Sequence, residues 1–274
     1  MSATLSICGL DVPRIGFGTL YITDERGFGA ARRNAVDLLR EAAGLGVRFF
    51  DTADSYGNGA AEDAVREALH PYDGLVIATK GGFRHDRLGA WISDARPERL
   101  RETLDGSLRR LGLDTIDLYQ LHCPDGRAAY ADSVGALADM QRQGKIRHIG
   151  VSNVDVRQIE IARREADIVS VQNPFNIRHR WGADVVDYCA EHGIVFLPWM
   201  PLGDGGIRWD DPVLKRIAAK HGVTPPQVAL AALLHRAPVI LPIPGTSSLD
   251  HLRDNVAAGE LSFDAEDMAA LWSG

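Results

Sequence analysis

Short apolar runs recur along the chain at 15–18, 47–50, 75–79, 115–121, 147–151, 168–171, 194–197 and 239–243. Their starts are spaced by roughly 32 residues, the length of one strand plus one crossover helix. Between them the apolar positions fall into helical period, with Ala61, Ala64, Val65, Ala68 and Leu69 on one face and Leu100, Leu104, Leu108 and Leu111 on another. Pro97 is placed to start the second of these helices and Gly112 to end it. Runs that are apolar on both faces, with helices between them, describe a parallel sheet covered on both sides. Eight such units in about 250 residues have the count and size of an α/β (β/α)8 TIM barrel. An open doubly wound sheet shares this periodicity and stays open as the alternative. Pro198 and Pro242 lack the amide a ladder needs, so each is expected where a strand ends or bulges. Two further short runs, 4–7 and 10–12 around Cys8-Gly9, predict an N-terminal β-hairpin closing the barrel floor. Two extra C-terminal helices, near 248–257 and 264–272, are expected after the last strand. No linker rich in Pro, Ser or charge divides the chain, and residues 1–274 read as a single domain.

Composition narrows the function classes. A net charge of −7 with no Lys/Arg run excludes a basic face for nucleic acid or a membrane surface. Three cysteines, far apart and in no CxxC spacing, point to a reducing compartment, and cytoplasm is the expected location. No secretory signal pattern opens the chain, and the most apolar helical run, 228–234, is far too short to span a bilayer. Only four of the 30 basic residues are lysine, so Lys80 at the end of a strand asks for a reason.

In a barrel the reacting groups come from the carboxyl-terminal ends of the strands and the loops after them. By that rule the second strand delivers Asp51, with Tyr56 in its loop; the third delivers Lys80, and the fourth His122. Each alone reads as readily as a packing or solvated residue. Four proton-holding groups at the same end of three consecutive strands read as a site. A cation beside a phenol favours the phenolate and lowers its pKa, so Lys80 is expected to acidify Tyr56, with Asp51 holding the ammonium. His122 is placed to orient a substrate oxygen and share the proton. No HExxH, GxSxG or paired His/Cys ligand set supplies a metal or a nucleophile. A proton donor without a nucleophile needs a hydride from elsewhere, which means a nicotinamide cofactor. The GNGAAE stretch at 57–62 lacks the third glycine of a dinucleotide fingerprint, so a nicotinamide would bind by another device.

Four ordered segments carry a family resemblance. FFDTADSYGNGAAED, DLYQLHCPD, GKIRHIGVSN and IPGTSSLDHLRDN resemble the signature, strand-four, strand-five and cofactor-phosphate segments of the aldo-keto reductases, and the likeness covers nearly the whole chain. The resemblance implies a (β/α)8 barrel, NADPH as the usual cofactor with NADH possible, and a catalytic tetrad on Asp51, Tyr56, Lys80 and His122. It assigns Tyr56 as general acid. It also implies cofactor contacts at Gly18, Thr19 and Asp51, at Ser152, Asn153 and Gln172 for the nicotinamide carboxamide, and at Trp199 for stacking on its ring. Leu202 and Gly203 would follow the pyrophosphate, and Gly245, Thr246, Ser247, Ser248, His251 and Asn255 the adenosine phosphate. Many members have IPKS and a following arginine there; Gly245-Thr246 and His251 stand in their place, so two cations are lost from the expected phosphate site.

Within the family, VQNPFNIRHR together with IPGTSSLDHLRDN is most similar to bacterial reductases, pyridoxal reductases among them. The reading that follows is an NADPH-dependent reductase of a small aldehyde or ketone, pyridoxal being one candidate, acting as a monomer or weak homo-oligomer. Specificity is expected from the loops 81–96, 123–130 and 203–210. Potassium-channel β subunits share the barrel and its cofactor, so a regulatory module with little turnover is the alternative.

Overall fold

The computed structural model describes residues 4–23 and 32–273. An antiparallel hairpin comes first, β1 (Thr4–Ile7) and β2 (Leu10–Pro13), turned by Cys8 and Gly9 at positive φ. Strand–helix units follow: β3 (Phe17–Gly18) with α1 (Arg32–Gly44), β4 (Phe49–Asp51) with α2 (Ala60–Leu69), and β5 (Val76–Gly81), which leads through a second hairpin, β6 (Phe83–His85) and β7 (Trp91–Ser93), to α3 (Pro97–Leu111). Next come β8 (Ile116–Leu121) with α4 (Tyr130–Arg142), β9 (Ile146–Ser152) with α5 (Val156–Glu165), and β10 (Ile168–Gln172) with α6 (Ala183–His192). β11 (Val195–Phe196) is followed by α7 (Pro212–His221) and α8 (Pro225–Arg236), and the chain ends in α9 (Leu249–Ala257) and α10 (Ala265–Trp272).

Seven parallel strands pair in the order β3-β4-β5-β8-β9-β10-β11. The eighth run forms no regular strand because Pro242 and Pro244 have no amide to donate. It nevertheless bonds on both sides. Phe196 N donates to Val239 O (2.9 Å) and Leu241 N to Phe196 O (2.9 Å), while Gly16 N donates to Pro242 O (2.9 Å) and Gly18 N to Pro244 O (3.4 Å). The ring is thereby closed into a (β/α)8 barrel. Gly18 is required at this closure, since a Cβ there would stand 2.7 Å from Ile243 O. Pro198 lies just past β11, where a strand end was expected.

Both C-terminal helices are present, with one correction to their roles. α9 packs between α8 and α1 and is the crossover helix of the eighth unit, so only α10 is additional after it. The other extra helix is α7, which with α10 covers the outer side of α8. α8 is consequently buried from Gln227 to Leu234, which is why it is apolar around its whole circumference.

The helices follow their sequence signals closely. α3 begins at Pro97 and ends where Gly112 takes a left-handed conformation (φ 69°). Leu100, Leu104 and Leu111 are buried, and Leu108 packs partly buried against the same core. Inside the barrel a separate apolar layer joins Phe49, Val76, Ala78, Leu118, Val195 and Leu241, and Ile7 and Val12 of the first hairpin are buried in it. Among the described residues, no helix is long and apolar enough to cross a membrane.

One buried carboxylate holds α10 in place. Asp267 is fully buried and accepts from Lys220 Nζ (2.9 Å) and His221 Nε2 (2.8 Å) at the end of α7. Burial pushes its pKa up, but the His221 and Lys220 hydrogen bonds outweigh that and hold it below the usual carboxylate value. A depressed folded pKa adds stability that is present above the unfolded value, near 3.9, and is lost as pH falls from there through the lower folded value. Asp267→Asn is therefore expected to lower the melting temperature at neutral pH and to flatten its decline between pH ~5 and ~3; melting curves across that range measure both.

Candidate active site

The carboxyl-terminal ends of β4, β5 and β8 bring three of the four candidate groups together beneath one cavity, and the loop after β4 brings the fourth. Lys80 is fully buried and its Nζ donates to Asp51 Oδ2 (2.6 Å), Thr52 O (2.9 Å) and Tyr56 OH (3.1 Å). Three donors therefore meet three acceptors, which is the condition for burying an ammonium. The second carboxylate oxygen of Asp51 accepts from Gln172 Nε2 (2.9 Å) and Gln120 Nε2 (3.1 Å). Because Lys80 donates to the Tyr56 oxygen, the phenol's own hydrogen is free to point toward a ligand.

Electrostatics correct one expectation. Burial raises the pKa of Tyr56, and although Lys80 pulls it down, Asp51 and Asp54 push it up again, so the phenol is held above its ordinary value rather than acidified. Burial of the phenol is the largest cause, and the Lys80 charge that opposes it is countered by Asp51. Burial works against the ammonium too, but Asp51 and Tyr56 outweigh it and Lys80 stays charged. His122 is pushed well below the usual imidazole value, by burial first and Lys80 second, so it is a neutral ring at physiological pH. It can donate or accept one hydrogen bond to a substrate oxygen, but it does not carry a proton to share. Its Nδ1 is buried without a protein partner.

Behind Lys80, on the outer side of β5, a second polar cluster fixes the frame. Fully buried Glu62 accepts from Thr79 Oγ1 (2.5 Å) and Arg110 Nε (2.6 Å), tying α2 and α3 to the strand that carries Lys80. Burial and the Glu62 charge push Asp54, two residues before Tyr56, up to about 7.

The cavity above encloses about 590 Å³. Gly18, Asp51, Tyr56, His122, Ser152, Asn153, Gln172, Trp199, Leu202, Gly203 and Gly245 all line it, as expected from sequence. Asn153 bridges two neighbours: its Nδ2 donates to His122 O (3.0 Å) and its Oδ1 accepts from Trp199 Nε1 (3.2 Å). Asn153, Met200 and Asp204 have positive φ (59°, 53° and 39°), and all three line the cavity. Strained backbone of this kind concentrates at ligand sites. Lys80 itself sits beneath the wall, and Thr19 is buried beside it with its Oγ1 unpaired and its amide donated to Asp51 O (2.9 Å).

The remaining candidates do not reach the wall. Thr246 Oγ1 accepts from Ser248 N (3.0 Å), Ser248 caps α9 by accepting from His251 N, Ser247 and His251 are exposed, and Asn255 is buried. Arg253, the nearest cation in sequence, is committed to Glu41 (3.2 Å). Conversely, sequence reasoning passed over Gln120, Phe83, Trp91 and Tyr21. Trp91 stands on β7 with its ring edge-on to Tyr56 (6.2 Å between centroids) and to Phe83 (5.5 Å), and His85 Nε2 lies 2.9 Å from Ser55 O, joining this hairpin to the Tyr56 loop.

Residues 14–273 match the Aldo/keto reductase family model. The chain belongs to the aldo/keto reductase family. This reductase is 42% identical over 279 residues to pyridoxine 4-dehydrogenase of Escherichia coli (strain K12), covering 98% of this chain and 97% of that protein. It is 38% identical over 272 residues to an uncharacterized oxidoreductase of Schizosaccharomyces pombe, covering 98% and 89%. Its fold superposes with a TM-score of 0.86 on an aldo/keto reductase from Klebsiella pneumoniae crystallised with NADP and acetate, at 28% identity and covering 99% and 94% of the two chains. The reductase is accordingly an oxidoreductase dependent on NAD(P)H.

Proposed function

We propose that this aldo/keto reductase uses NADPH to reduce a small aldehyde or ketone to an alcohol, with Tyr56 as the proton donor. The observation that carries the reading is Lys80 Nζ held between Asp51 Oδ2 at 2.6 Å and Tyr56 OH at 3.1 Å, directly under the cavity. The cavity suits a dinucleotide: Ser152, Asn153, Gln172 and Trp199 line it together, and Gly18 and Gly245 give it a stretch of wall without side chains. Ser152, Asn153 and Gln172 would hold the carboxamide, Trp199 the ring, Leu202 and Gly203 the pyrophosphate, and Gly245, Thr246, Ser247, Ser248, His251 and Asn255 the adenosine end at the start of α9. When bound, the reduced nicotinamide supplies a hydride to the carbonyl carbon. Tyr56 gives its proton to the carbonyl oxygen as negative charge develops there. Lys80 already donates to the phenol oxygen and stabilises the phenolate that remains, while Asp51 keeps the ammonium in place. Neutral His122 orients the substrate oxygen. The first hairpin acts as a floor to this arrangement, a role that the burial of Ile7 and Val12 in the inner layer supports.

Pyridoxal is the first substrate to try, because the pyridoxine dehydrogenase named above is similar over almost its whole length. A panel of pyridoxal, methylglyoxal, nitrobenzaldehydes and simple sugars is expected to give NADPH oxidation with at least one member. Binding of NADPH with no turnover on any of them would overturn the reading. Fluorescence titration is expected to show tighter binding of NADPH than of NADH; equal affinities, or a preference for NADH, would remove the 2′-phosphate from the proposal.

A further inference from the structure

We infer that Gln120 is a positioning residue for the reaction, fixing the Asp51 carboxylate so that only one of its oxygens is given to Lys80. The inference rests on the proposed role of Tyr56 and on the geometry just beneath the cavity. Gln120 lies on the same face of β8 as His122, two positions earlier, and is fully buried. Its Nε2 reaches Asp51 Oδ1 at 3.1 Å, and its Oε1 accepts from Gln172 Nε2 at 3.4 Å. Gln172 Nε2 also donates to Asp51 Oδ1 at 2.9 Å.

The orientation of both amides is forced by chemistry. An ionised carboxylate only accepts, so each carboxamide must turn its NH2 toward Asp51. Two neutral donors thus occupy Oδ1, and the single cation occupies Oδ2. This partition decides how much of the Lys80 charge is left for Tyr56. Without Gln120, Oδ1 keeps one donor, the carboxylate leans its charge further onto Lys80, and the ammonium does less for the phenolate. The charged or titratable groups facing Tyr56 in this arrangement are Lys80, Asp51, Asp54 and His122; Gln120 stands beside Lys80 across the β5–β8 pair, and of these groups it hydrogen-bonds Asp51. Unlike Gln172, it is not itself part of the cavity lining and acts from behind it.

Gln120→Met keeps the volume and removes both hydrogen bonds; Gln120→Glu keeps the shape and places a second carboxyl beside Asp51. The test uses the intact protein in the direction of alcohol oxidation, where Tyr56 must act as the base, so that turnover rises with pH as the phenol ionises. In both variants the midpoint of that rise is expected to move to higher pH, further for Glu than for Met, with turnover at neutral pH down about tenfold or more and the dissociation constant for NADPH within twofold of the parent. Melting curves run alongside identify a variant that fails to fold, in which case the other variant carries the test. A loss of turnover with an unmoved midpoint would assign Gln120 to packing and overturn the inference, as would unchanged turnover. Failure of the Tyr56 assignment would look different, because the parent itself would show no titration of alcohol oxidation that Tyr56→Phe abolishes.

Discussion

Tyr56→Phe is expected to lower turnover by about 10²–10⁴-fold, the range a positioned acid contributes, while NADPH binds as before. The substitution removes one oxygen from a ring that is otherwise held by its neighbours: Trp91 and His122 edge-on at 6.2 and 5.9 Å, and Lys80 Nζ 4.8 Å from its centroid. Packing is therefore preserved and the loss falls on proton transfer. Because the Tyr56 pKa is raised, the phenol stays protonated beyond pH 10, and reduction by the parent is expected to persist into alkaline solution. The same shift sets a stability effect: a folded pKa above the unfolded value gives stability that is complete below pH ~10 and is lost as the pH rises through the folded value. Single-turnover absorbance with a responsive aldehyde reads the rate, and fluorescence titration reads cofactor affinity. Turnover within tenfold of the parent would move the acid elsewhere.

Lys80→Met combines two losses. Removing one partner of a buried ion pair leaves the other charge unpaired and costs about 3–5 kcal/mol, which for a chain of this size lowers the melting temperature by roughly 10 °C. Turnover is expected to fall at least as far as in Tyr56→Phe, since a buried phenolate then has no cation beside it. The double variant Asp51→Asn/Lys80→Met separates the effects. With no buried charge left unpaired, it is expected to regain most of the melting temperature and none of the turnover. Recovery of both would make Lys80 a structural residue only; recovery of neither would mean that the pair shapes the barrel itself.

Much of this was legible in the residues, for identifiable reasons. The apolar runs marked the seven regular strands of the barrel, because parallel strands are buried on both faces and a run survives as a run, while the eighth run is interrupted by Pro242 and Pro244. Pro97 and Gly112 marked α3 because their backbone preferences are local. The clustering of Asp51, Tyr56, Lys80 and His122 was inferable by asking what stands at strand ends. Gln120 obeyed the same geometry but was passed over, since an amide two positions inside a strand looks like any buried polar residue until its partner is known. The direction of the Tyr56 shift could not be read either. Proximity of Lys80 was inferable, whereas the burial that outweighs it depends on how the chain packs around the ring, including Trp91 from a hairpin 35 residues further along. At the start of α9 the side chains expected to meet the adenosine phosphate turn to each other or to the surface, an orientation that depends on the local turn and not on residue type.

The seam between β3 and the run 239–244 gives the barrel an uneven stiffness. On the β4–β5–β8 side each strand is stitched to its neighbours by amides and carbonyls alike, and that is the sector holding Asp51, Lys80 and His122. Across the seam Pro242 and Pro244 contribute carbonyls alone, and the stitch at Gly18 is stretched to 3.4 Å. The wall beside Gly18 and Gly245 is accordingly held across the seam by hydrogen bonds that run one way only, from Gly16 and Gly18, whereas the sector that spaces Lys80 from Tyr56 is held in both directions.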